Sequence, residues 1–418
     1  MTMSLPQGVN ALVNVIDRPI AAYFNSCVHC GFCAEACLFY TETGDPRYTP
    51  IHKVEPLRKV WKQNFTFWGR LLRALGLSKP LTLEELKEWQ PLVYDACTMC
   101  GRCSTVCPLG NDITYMIRKL REGMVAAGAA PEDLEGAAFR TLTVGSPMQV
   151  TLETIKATIR HTEKETGIKV PLDQEGAEVM MLLSSNEVGL YPEIMPALAR
   201  VFDKAKVSWT LCSTAYEATN AGIQIGSSDV ARTLVQRIVD GAERLRVKIV
   251  ISPECGHAYT ALRWDGPNLI GRPYGFKVLH ITEFLDQLRA EGRLTTSGKE
   301  SKRITYHDPC QIARRGGVVE PPRNLIKMVA DNFVEMDETG TANWCCGGGG
   351  GVSSIERAIP LRRRVFSKKK SQLDAINVKK VVTTCANCRH MIEDGVEYNK
   401  MDVEVVSLTE MLAEHVQT

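Results

Sequence analysis

Trp344-Cys345-Cys346-Gly347-Gly348-Gly349-Gly350-Gly351 is the stretch around which this chain is organised. Glycine loses more backbone entropy on folding than any other residue and buries no side chain, so such a run is a poor choice for a packed core. It suits a backbone that wraps closely around something that is not protein. A third cysteine, Cys310, lies upstream of the stretch, and Cys385 and Cys388 lie downstream of it.

Short runs of apolar and β-branched residues precede Cys310 and Cys385. Residues 303–306 before Cys310 and residues 381–384 before Cys385 predict strands. Cysteines at the carboxyl ends of neighbouring parallel strands converge on one centre. Their five thiolates are one more than tetrahedral zinc needs, whereas an iron–sulfur cluster in which one thiolate bridges two irons uses all five. The alternative, a set of buried inert thiols, leaves the coincidence of cysteines, glycines and strand ends unexplained.

Two further cysteine runs lie closer to the N-terminus. The first extends from Cys27 to Cys37 and the second from Cys97 to Cys107, and both read CxxCxxCxxxC. Such a pair is typical of bacterial two-cluster ferredoxins, in which the fourth cysteine of each run binds the cluster of the other run. Zinc sites, the alternative, seldom place three cysteines at two-residue gaps. One [4Fe–4S] cubane is therefore expected on Cys27, Cys30, Cys33 and Cys107, and the second on Cys97, Cys100, Cys103 and Cys37.

Composition narrows the class of protein. The 418 residues suffice for two or three domains, and the net charge of +2 argues against a nucleic-acid partner. Of the 15 cysteines, all except Cys212 and Cys255 fall into metal-ligand spacings, which favours a reducing, cytoplasmic setting. The N-terminus lacks the pattern of a secretory signal, and no apolar run approaches the roughly 18 residues of a transmembrane helix. Any membrane contact is therefore expected to be peripheral or through a partner.

The segment between the two cysteine runs, about residues 41–94, is much longer than a compact ferredoxin requires. Its part from Leu57 to Leu77 is basic and aromatic and contains no acidic residue. Two roles remain open for this part. It is either an amphipathic helix that lies at a membrane interface or against a partner, or a cover that packs over the clusters and excludes water.

Helices are predicted at Ile113–Val125, where apolar residues recur on one face, and at residues 354–376. The second of these carries two basic runs, at residues 362–364 and 368–370. Such runs indicate a solvated helix face or a docking site for an acidic redox partner.

The last part of the chain contains an internal repeat, since residues 249–257 resemble residues 382–390. In this comparison the first copy retains two of the five cysteines. Serine and asparagine replace the others and are poor ligands for iron clusters, so no ordinary cluster is expected in the first copy. The matched pairs are Cys212 with Cys345, Ser213 with Cys346, Ser252 with Cys385, Cys255 with Cys388 and Asn186 with Cys310.

Cys212, Cys255 and His257 remain in the first copy. They are either remnants of a lost site or the lining of a cavity in which a disulfide substrate meets the intact site, with His257 as proton donor or thiol activator. His307 and His390 stand beside the intact cysteines, where donating a hydrogen bond to sulfur is the more common role of a histidine.

The central motif resembles the CCG domain of heterodisulfide reductase catalytic subunits, which holds a noncubane [4Fe–4S] cluster. This motif consists of the single Cys310, the adjacent pair Cys345-Cys346 and the CxxC formed by Cys385 and Cys388. With the two ferredoxin runs, nearly the whole chain resembles the D-type subunits of these enzymes, including the DsrK-type subunits of sulfur-metabolising membrane complexes. Glu254–Ala258, Arg263-Trp264 and Cys345–Gly351 look particularly like that group. Iron–sulfur subunits of glycolate oxidase share this domain architecture, so the resemblance to the family does not by itself identify the substrate.

The resemblance implies a fold of α+β and α/β type, with a helical two-[4Fe–4S] ferredoxin domain followed by two pseudo-symmetric α/β CCG domains. It also implies one noncubane [4Fe–4S] cluster beside the two cubanes. The noncubane ligands that it implies are Cys310, Cys345, Cys346, Cys385 and Cys388. The expected domains are the ferredoxin domain at residues 1–125, a helical connector at 126–176, a degenerate CCG domain at 177–300 and the intact CCG domain at 301–418.

For function, the resemblance implies an electron-transfer oxidoreductase subunit whose noncubane centre reduces or forms a disulfide of a small thiol protein or a small molecule. Cys255, His257 and Cys212 are the candidate catalytic residues on the substrate side. The partner expected to exchange electrons through the cubanes is a membrane quinone or cytochrome b-type subunit, or a flavoprotein. The alternative is a pure electron relay without its own substrate site, as in a flavoprotein 2-hydroxy-acid oxidase of the glycolate or lactate type.

Overall fold

The computed structural model describes residues 8–416, so the ends of the first and last predicted domains, residues 1–7 and 417–418, lie outside the described residues. The chain forms two compact units that are interleaved in sequence. The four-part division predicted from the sequence stays a prediction. The helical unit comprises Met1–Gly136, Gly222–Ser228 and Gly347–Lys368, and the sheet unit comprises Ala137–Ala221, Asp229–Cys346 and Lys369–Thr418.

The helical unit holds both N-terminal cysteine runs and contains no strand among its described residues. Its helices up to residue 127 are α1 (Ala11–Asn14), α2 (Arg18–Ser26), α3 (Phe32–Glu35), α4 (Leu38–Thr41), α5 (Pro50–Lys53), α6 (Glu55–Phe65), α7 (Phe67–Ala74), α8 (Leu83–Glu88), α9 (Arg102–Thr105) and α10 (Ile113–Ala127). The predicted helix that begins at Ile113 is confirmed by α10.

Local sequence explains where these helices begin and end. Gly31 and Gly101 cap α3 and α9 with φ of 90° and 82°, in the left-handed region that favours glycine. The side chain of Asp112 caps α10 by accepting a hydrogen bond from the N–H of Tyr115 at 3.0 Å, and Gly128 ends that helix at φ 75°. Each cysteine run is therefore a tight turn that leads into a short helix.

Parallel sheets form the centre of the sheet unit. The strands are β1 (Val179–Met181), β2 (Trp209–Thr210), β3 (Ile249–Ser252), β4 (Lys277–His280), β5 (Ile304–His307), β6 (Lys380–Thr383) and β7 (Glu404–Ser407). One sheet has the order β2-β1-β3-β4, the other has the order β5-β6-β7, and every pairing is parallel. The two strands predicted before Cys310 and Cys385 are confirmed, each displaced by one residue. Such strands are buried on both faces, which accounts for their apolar, β-branched composition.

Helices follow most of these strands. From residue 132 onward they are α11 (Glu132–Thr143), α12 (Leu152–Thr166), α13 (Ser185–Leu190), α14 (Ile194–Lys204), α15 (Ala221–Ile225), α16 (Ser228–Arg244), α17 (Gly256–Thr260), α18 (Gly266–Ile270), α19 (Ile281–Ala290), α20 (Glu320–Val329), α21 (Ile359–Val365), α22 (Ser367–Ile376), α23 (Ala386–Tyr398) and α24 (Leu408–His415). The fold class is confirmed as a mixture of helices and parallel sheets.

The predicted single helix at residues 354–376 is wrong. The structure has two helices there, α21 and α22, and α21 is preceded by 3-10 turns at Val352–Ser354 and Glu356–Ala358. Pro360 lies in the first turn of α21. Proline is tolerated in the first turn of a helix but breaks a helix interior, so a helix cannot run unbroken through this position.

One hydrophobic core joins the two sheets of the sheet unit. Met181 and Ile251 from the first sheet and Tyr306 and Val382 from the second belong to the same buried cluster. Helix α14 packs against α24, and α19 packs against α20. A shared core fixes the two sheets relative to each other, so the loops at their carboxyl ends are held in a defined arrangement. No helix within residues 8–416 has both the length and the apolar character of a membrane span.

Candidate metal centres

The five cysteines of the central motif are all buried in the sheet unit. Cys310 follows β5 and Cys385 follows β6, and these strands pair in parallel, so both loops open at the same edge of the sheet. The Sγ atoms of Cys310 and Cys345 are 3.9 Å apart. The thiol of Cys388 forms hydrogen bonds with those of Cys346 and Cys385. The structure thus brings the predicted ligands into one group, called the thiol cluster below.

His307, the last residue of β5, lies against the thiol cluster. A ring nitrogen of His307 and the Sγ atoms of Cys346 and Cys388 lie within 4.8 Å of one another. Neither ring nitrogen has a hydrogen-bond partner among residues 8–416, and burial, with the charge of Lys369, holds the pKa of His307 well below its usual value. A buried neutral imidazole with an unsatisfied N–H needs an acceptor. This orphaned donor beside a set of soft thiols fits an iron–sulfur cluster.

Lys369 is a site residue that the sequence analysis missed. Only 2% of it is exposed, and its Nζ donates a hydrogen bond to Oε1 of Gln372 at 2.7 Å. Burial lowers the pKa of Lys369 to about 8, while the thiols of Cys346 and Cys345 act in the opposite direction. The predicted solvated helix face is therefore wrong for this residue. Its place within a run of three lysines gave no sign that it points inward.

A buried ion pair holds the loop that carries Cys310. Asp308 accepts two hydrogen bonds from the guanidinium of Arg323, both at 2.9 Å, and one from the N–H of Gly340 at 2.8 Å. The side chain of Asn343 donates to the carbonyl of Asp308. Removing one partner of a buried ion pair leaves an uncompensated charge, which is strongly destabilising. The loops before Cys310 and before the Cys345-Cys346 pair are therefore firmly joined.

Cys385 is the N-cap residue of α23. Its sulfur accepts a hydrogen bond from the thiol of Cys388 and further ones from the backbone N–H groups of Gly256, Cys388 and Asn387, and these donors lower the pKa of Cys385. The positive end of the helix dipole also favours a thiolate at this position. Cys385 is therefore prepared to act as a negatively charged ligand.

Cys255 lies beside the thiol cluster, as the hydrogen bond from the next residue, Gly256, to the sulfur of Cys385 shows. Burial and the nearby Cys385 both raise the pKa of Cys255. Cys255 is the N-cap of α17 with φ −141° and ψ 103°, close to the −147° and 112° of Cys385. Cys255 and Cys385 are thus both N-cap residues with similar backbone angles, and the sequence match that set Cys255 opposite Cys388 stays a prediction. His257, two residues after Cys255 and in the first turn of α17, is buried.

Cys212 has the surroundings of a core residue. It is fully buried in a cluster of apolar side chains that includes Val239 and Ala242. Its sulfur contacts Oγ1 of Thr214 and Nη2 of Arg244, each at 3.3 Å. Neither partner belongs to the thiol cluster, so these contacts are those of a packed core thiol, and the catalytic role of Cys212 stays a prediction.

Two buried carboxyl groups lie near Cys255, and the sequence analysis missed both. Glu187 accepts a hydrogen bond from the N–H of Glu254 at 2.9 Å, and Glu254 accepts from the hydroxyl groups of Ser407 and Thr409, each at 2.7 Å. Burial, with Glu254 as a neighbour, raises the pKa of Glu187 to about 8. Glu187 therefore carries a proton at neutral pH, close to the candidate substrate side.

The raised pKa of Glu187 makes a prediction about stability. Its pKa falls from about 8 in the folded state towards the ordinary 4.5 on unfolding, so the folded state binds the extra proton and stability decreases as pH rises between these values. The decrease is at most about 5 kcal/mol. Glu187→Gln, which cannot titrate, is expected to flatten the pH dependence of the melting temperature between pH 5 and pH 8.

The control for this experiment is Glu153→Gln, because Glu153 lies exposed on α12. The amide that Glu187→Gln introduces cannot accept both backbone N–H groups that the carboxyl group of Glu187 accepts, so the absolute stability of this variant decreases as well. The slope with pH is therefore the informative quantity. Equal slopes for wild type and Glu187→Gln would show that this carboxyl group does not hold its proton in the folded state.

In the helical unit, the thiols predicted for the first cubane line a single cavity of about 150 Å³. Burial raises the pKa of Cys33, and the neighbouring thiols add to this effect. Cys30 is exposed, so solvent reaches this group. The group contains Cys27, Cys30, Cys33 and Cys107.

The thiols predicted for the second cubane also come together. Burial raises the pKa of Cys103 well above its usual value, and nearby Cys100, Cys37 and Cys97 raise it further. In both groups the fourth cysteine comes from the other run, as the sequence predicts. Whether each group binds a cluster stays a prediction, but the geometry of the two sets agrees with the crossed assignment.

Two buried cations that sequence reasoning did not identify lie beside the second group. Nζ of Lys53 is 3.5 Å from the sulfur of Cys37. Arg121 is fully buried, and its guanidinium donates to backbone carbonyls. Positive charge near thiolate ligands stabilises the more negative, reduced state of a cluster. The carbonyls that Arg121 binds belong to Val93, Cys97, Gln224 and Gly350, at distances of 2.9, 2.8, 2.6 and 2.6 Å.

The glycine run after Cys346 does not wrap only around something that is not protein, which corrects the first expectation from the sequence. Gly350 and Gly351 have φ of 63° and 89°. A Cβ at Gly350 would lie 2.9 Å from the carbonyl of Thr98, and a Cβ at Gly351 would lie 2.9 Å from the side chain of Leu134. Glycine is required here for close approach to the protein itself.

Comparison with known protein families agrees with these geometric groups. Residues 23–111 match the family model of the 4Fe-4S dicluster domain, and residues 304–393 match that of the CCG cysteine-rich domain. The first match contains both groups of four thiols, and the second contains the whole thiol cluster. The fold and the site thus define an iron–sulfur oxidoreductase protein that combines a dicluster domain with a cysteine-rich domain.

Individual relatives extend the similarity to nearly the whole chain. The chain is 28% identical to the D-type subunit of the dihydromethanophenazine:CoB--CoM heterodisulfide reductase of Methanosarcina acetivorans, over 93% of each chain. It is 27% identical to the Hdr-like menaquinol oxidoreductase iron-sulfur subunit of Archaeoglobus profundus, over 95% of this chain and 80% of the relative. The EtfAB:quinone oxidoreductase of Syntrophomonas wolfei is 28% identical over 89% of this chain and 55% of the relative. The chain is thus similar, over most of its length, to D-type subunits of heterodisulfide reductase and to Hdr-like iron–sulfur proteins.

Proposed function

We propose that this chain is the iron–sulfur subunit of a heterodisulfide-reductase-like complex in which it reduces or forms a disulfide. The observation that carries the proposal is the thiol cluster, in which five buried cysteines surround an unsatisfied His307 and a buried Lys369. A packed core needs neither group, because a buried cation and an orphaned imidazole both cost free energy unless a partner compensates for them.

In this proposal the thiol cluster holds a noncubane [4Fe–4S] cluster, and the two groups of four thiols in the helical unit hold one cubane each. The noncubane cluster, when bound, supplies or accepts single electrons at the substrate disulfide. His307 donates its N–H toward the sulfur of the site. The ammonium of Lys369 offsets the negative charge of the thiolates.

Reduction of a disulfide consumes two electrons and two protons and releases two thiols. The electrons come from the partner subunit through the helical unit, and the protons come from this chain. We assign Cys255 and His257 to the substrate side of the thiol cluster, with His257 as the proton donor to the released thiolate. Protonated Glu187, close to Cys255, is a second source of protons.

The two halves of the sheet unit are proposed to be copies of one ancestral domain, at residues 177–300 and 301–418. Strands β1, β3 and β4 occur in the same parallel order as β5, β6 and β7. Cys255 and Cys385 both cap the helix after the middle strand, and His280 and Ser407 both cap the helix after the last one. In this proposal the first copy lacks the thiols that an ordinary iron–sulfur cluster needs, and its residues line the substrate side of the thiol cluster instead.

The proposed partner is a membrane quinone or cytochrome b-type subunit, or a flavoprotein, which exchanges electrons with the cubanes. The names of the relatives support this assignment, since they include a menaquinol oxidoreductase subunit and an EtfAB:quinone oxidoreductase. The substrate is proposed to be a small thiol protein or a small-molecule disulfide. The proposed location is the cytoplasm, at the inner face of the membrane.

Replacing Cys255 or His257 with alanine tests the substrate side. His257→Ala is expected to reduce disulfide turnover about a hundredfold, since a positioned proton donor contributes at least that much. Cys255→Ala is expected to reduce turnover because it removes a side chain of the substrate side, and iron content stays unchanged in both variants. Turnover is measured anaerobically, with reduced methyl viologen as electron donor and a panel of small disulfides. Cys212→Ala is the matched control, because Cys212 is a buried thiol outside the thiol cluster.

Unchanged turnover in both variants would contradict the assignment of a substrate side. With all three clusters present, that result would favour the second candidate, a pure electron relay as in a flavoprotein 2-hydroxy-acid oxidase. Reduced turnover together with lost iron would instead mean that Cys255 or His257 supports the cluster.

A further inference from the structure

Helix α7 leaves its apolar side chains in solvent. None of its residues is buried, although its first two residues, Phe67 and Trp68, are large and apolar and are 73% and 70% exposed. Large exposed apolar patches on soluble proteins usually mark a binding surface. The exposed apolar residues of this region, called the α7 patch below, are Phe65, Phe67, Trp68, Leu71, Leu72, Leu75 and Leu77.

The order of residues along α7 separates an apolar face from a basic one. Phe67, Leu71 and Leu75 follow one another at intervals of four residues and therefore share one face of the helix. Arg70 and Arg73 fall between them, outside that face. Such a helix is amphipathic, but its apolar face points away from the protein that carries it.

The neighbouring helix α6 differs from α7 in burial. Leu57, Val60 and Trp61 of α6 are buried, whereas α7 has no buried residue. The α7 segment is held at its base, because the side chain of Gln63 donates to Oγ of Ser78 and to the carbonyl of Lys79, both at 2.8 Å. The α7 patch is therefore an exposed surface on a segment that hydrogen bonds within the protein hold in place.

The charge around the α7 patch has one sign. No acidic residue occurs from Pro56 to Thr82. At the ends of this stretch Arg58 pairs with Glu55 and Lys59 pairs with Glu85. Closer to the patch, Lys62 and Arg70 form no ion pair with any residue in the part of the chain that the structure describes. The patch thus offers apolar side chains and uncompensated positive charge together.

We propose that the α7 patch binds an anionic lipid surface directly, so that this chain touches the membrane without its partner subunit. Phenylalanine, tryptophan and leucine on one face with arginine and lysine beside them are the composition of helices that lie in the headgroup region. The unpaired cations at the edge of the patch complement anionic headgroups.

Vesicle flotation with the purified holoprotein tests this inference. The vesicles contain either phosphatidylcholine alone or equal parts of phosphatidylcholine and phosphatidylglycerol. The wild type is expected to float with the anionic vesicles and to dissociate as salt is added. Phe67→Ser with Trp68→Ser is expected to reduce binding at least tenfold, and Lys62→Gln with Arg70→Gln is expected to weaken binding to anionic vesicles only.

Phe139→Ser is the matched control, because Phe139 is a large exposed side chain outside the α7 patch. Flotation of the wild type that persists in the Phe67 and Trp68 variant would overturn the proposal. Absence of wild-type flotation would also overturn it, and a dimer in solution that this variant makes monomeric would then show that a second copy covers the patch. Flotation does not depend on turnover, so its outcome is separate from that of the proposed disulfide chemistry.

Discussion

Cys346→Ala is expected to lower the iron content from about twelve to about eight atoms per chain and to abolish disulfide turnover. The thiol of Cys346 forms a hydrogen bond with that of Cys388, and its sulfur lies within 4.8 Å of a ring nitrogen of His307. Without Cys346, four thiols remain, one fewer than the five that would hold the proposed noncubane cluster. The measurement is iron and acid-labile sulfide on anaerobically purified protein, together with EPR after oxidation.

Cys212→Ala serves as the matched control for this experiment as well, since it removes a fully buried thiol from an apolar core. It is expected to keep the full iron content and the EPR signal that appears on oxidation. About eight irons in both the wild type and Cys346→Ala would mean that the thiol cluster binds no iron cluster. The protein would then be an electron relay with two cubanes.

The sequence predicts the thiol groups well because cysteine spacing constrains local geometry. A CxxCxxCxxxC run brings its first three thiols together within one turn, and Gly31 allows that turn with a φ of 90°. Cys310 and Cys385 meet because both follow short apolar strands, and such strands are legible as runs of β-branched residues. In these cases the local pattern and the tertiary position depend on the same few residues.

The charged residues of the sites could not be predicted, because burial of a charge is decided by tertiary packing. Lys369 belongs to a helix with a lysine on either side of it, and the three are equivalent in the sequence. Arg121 lies in α10 beside apolar residues, but the carbonyls that it binds at Gln224 and Gly350 are far away in the chain. Glu187 is the N3 residue of a capping box, which alone predicts an exposed carboxylate.

In the proposed repeat, cysteine spacing and helix caps pair the residues of the two halves differently. Matching by cysteine spacing set Cys255 opposite Cys388, whereas the helix caps set it opposite Cys385. The loop from β3 to Cys255 is one residue longer than the loop from β6 to Cys385. Cys255 lies beside the thiol cluster under either pairing, because the N–H of the next residue, Gly256, donates to the sulfur of Cys385.

Lys369→Met is expected to have opposite effects on the protein with and without its cluster. In the folded chain without metal, burial lowers the pKa of Lys369 from 10.5 to about 8, so stability rises with pH between these values. The buried ammonium thus costs about 3 kcal/mol at neutral pH. Methionine has a similar length and no charge, so the apoprotein is expected to melt at a higher temperature than the wild type.

With the cluster bound, the same substitution removes a cation that stabilises the reduced state. The midpoint potential of the noncubane centre is expected to fall by about 60 mV or more, which corresponds to at least a tenfold change in the reduction equilibrium. Lys369→Arg keeps the charge and is expected to keep the potential near that of the wild type. The potential is measured by redox titration followed by EPR.

Lys370→Met is the matched control, because Lys370 lies on the same helix but pairs with Asp374 at the surface. It is expected to change neither the melting temperature of the apoprotein nor the potential. A potential that stays unchanged in Lys369→Met, with the cluster intact, would show that the ammonium does not act on the redox centre. The expected pair of results, in contrast, would show that Lys369 destabilises the apoprotein and makes the noncubane centre easier to reduce. The electrostatic effect of its ammonium on that centre would then explain why a buried lysine stands at this position.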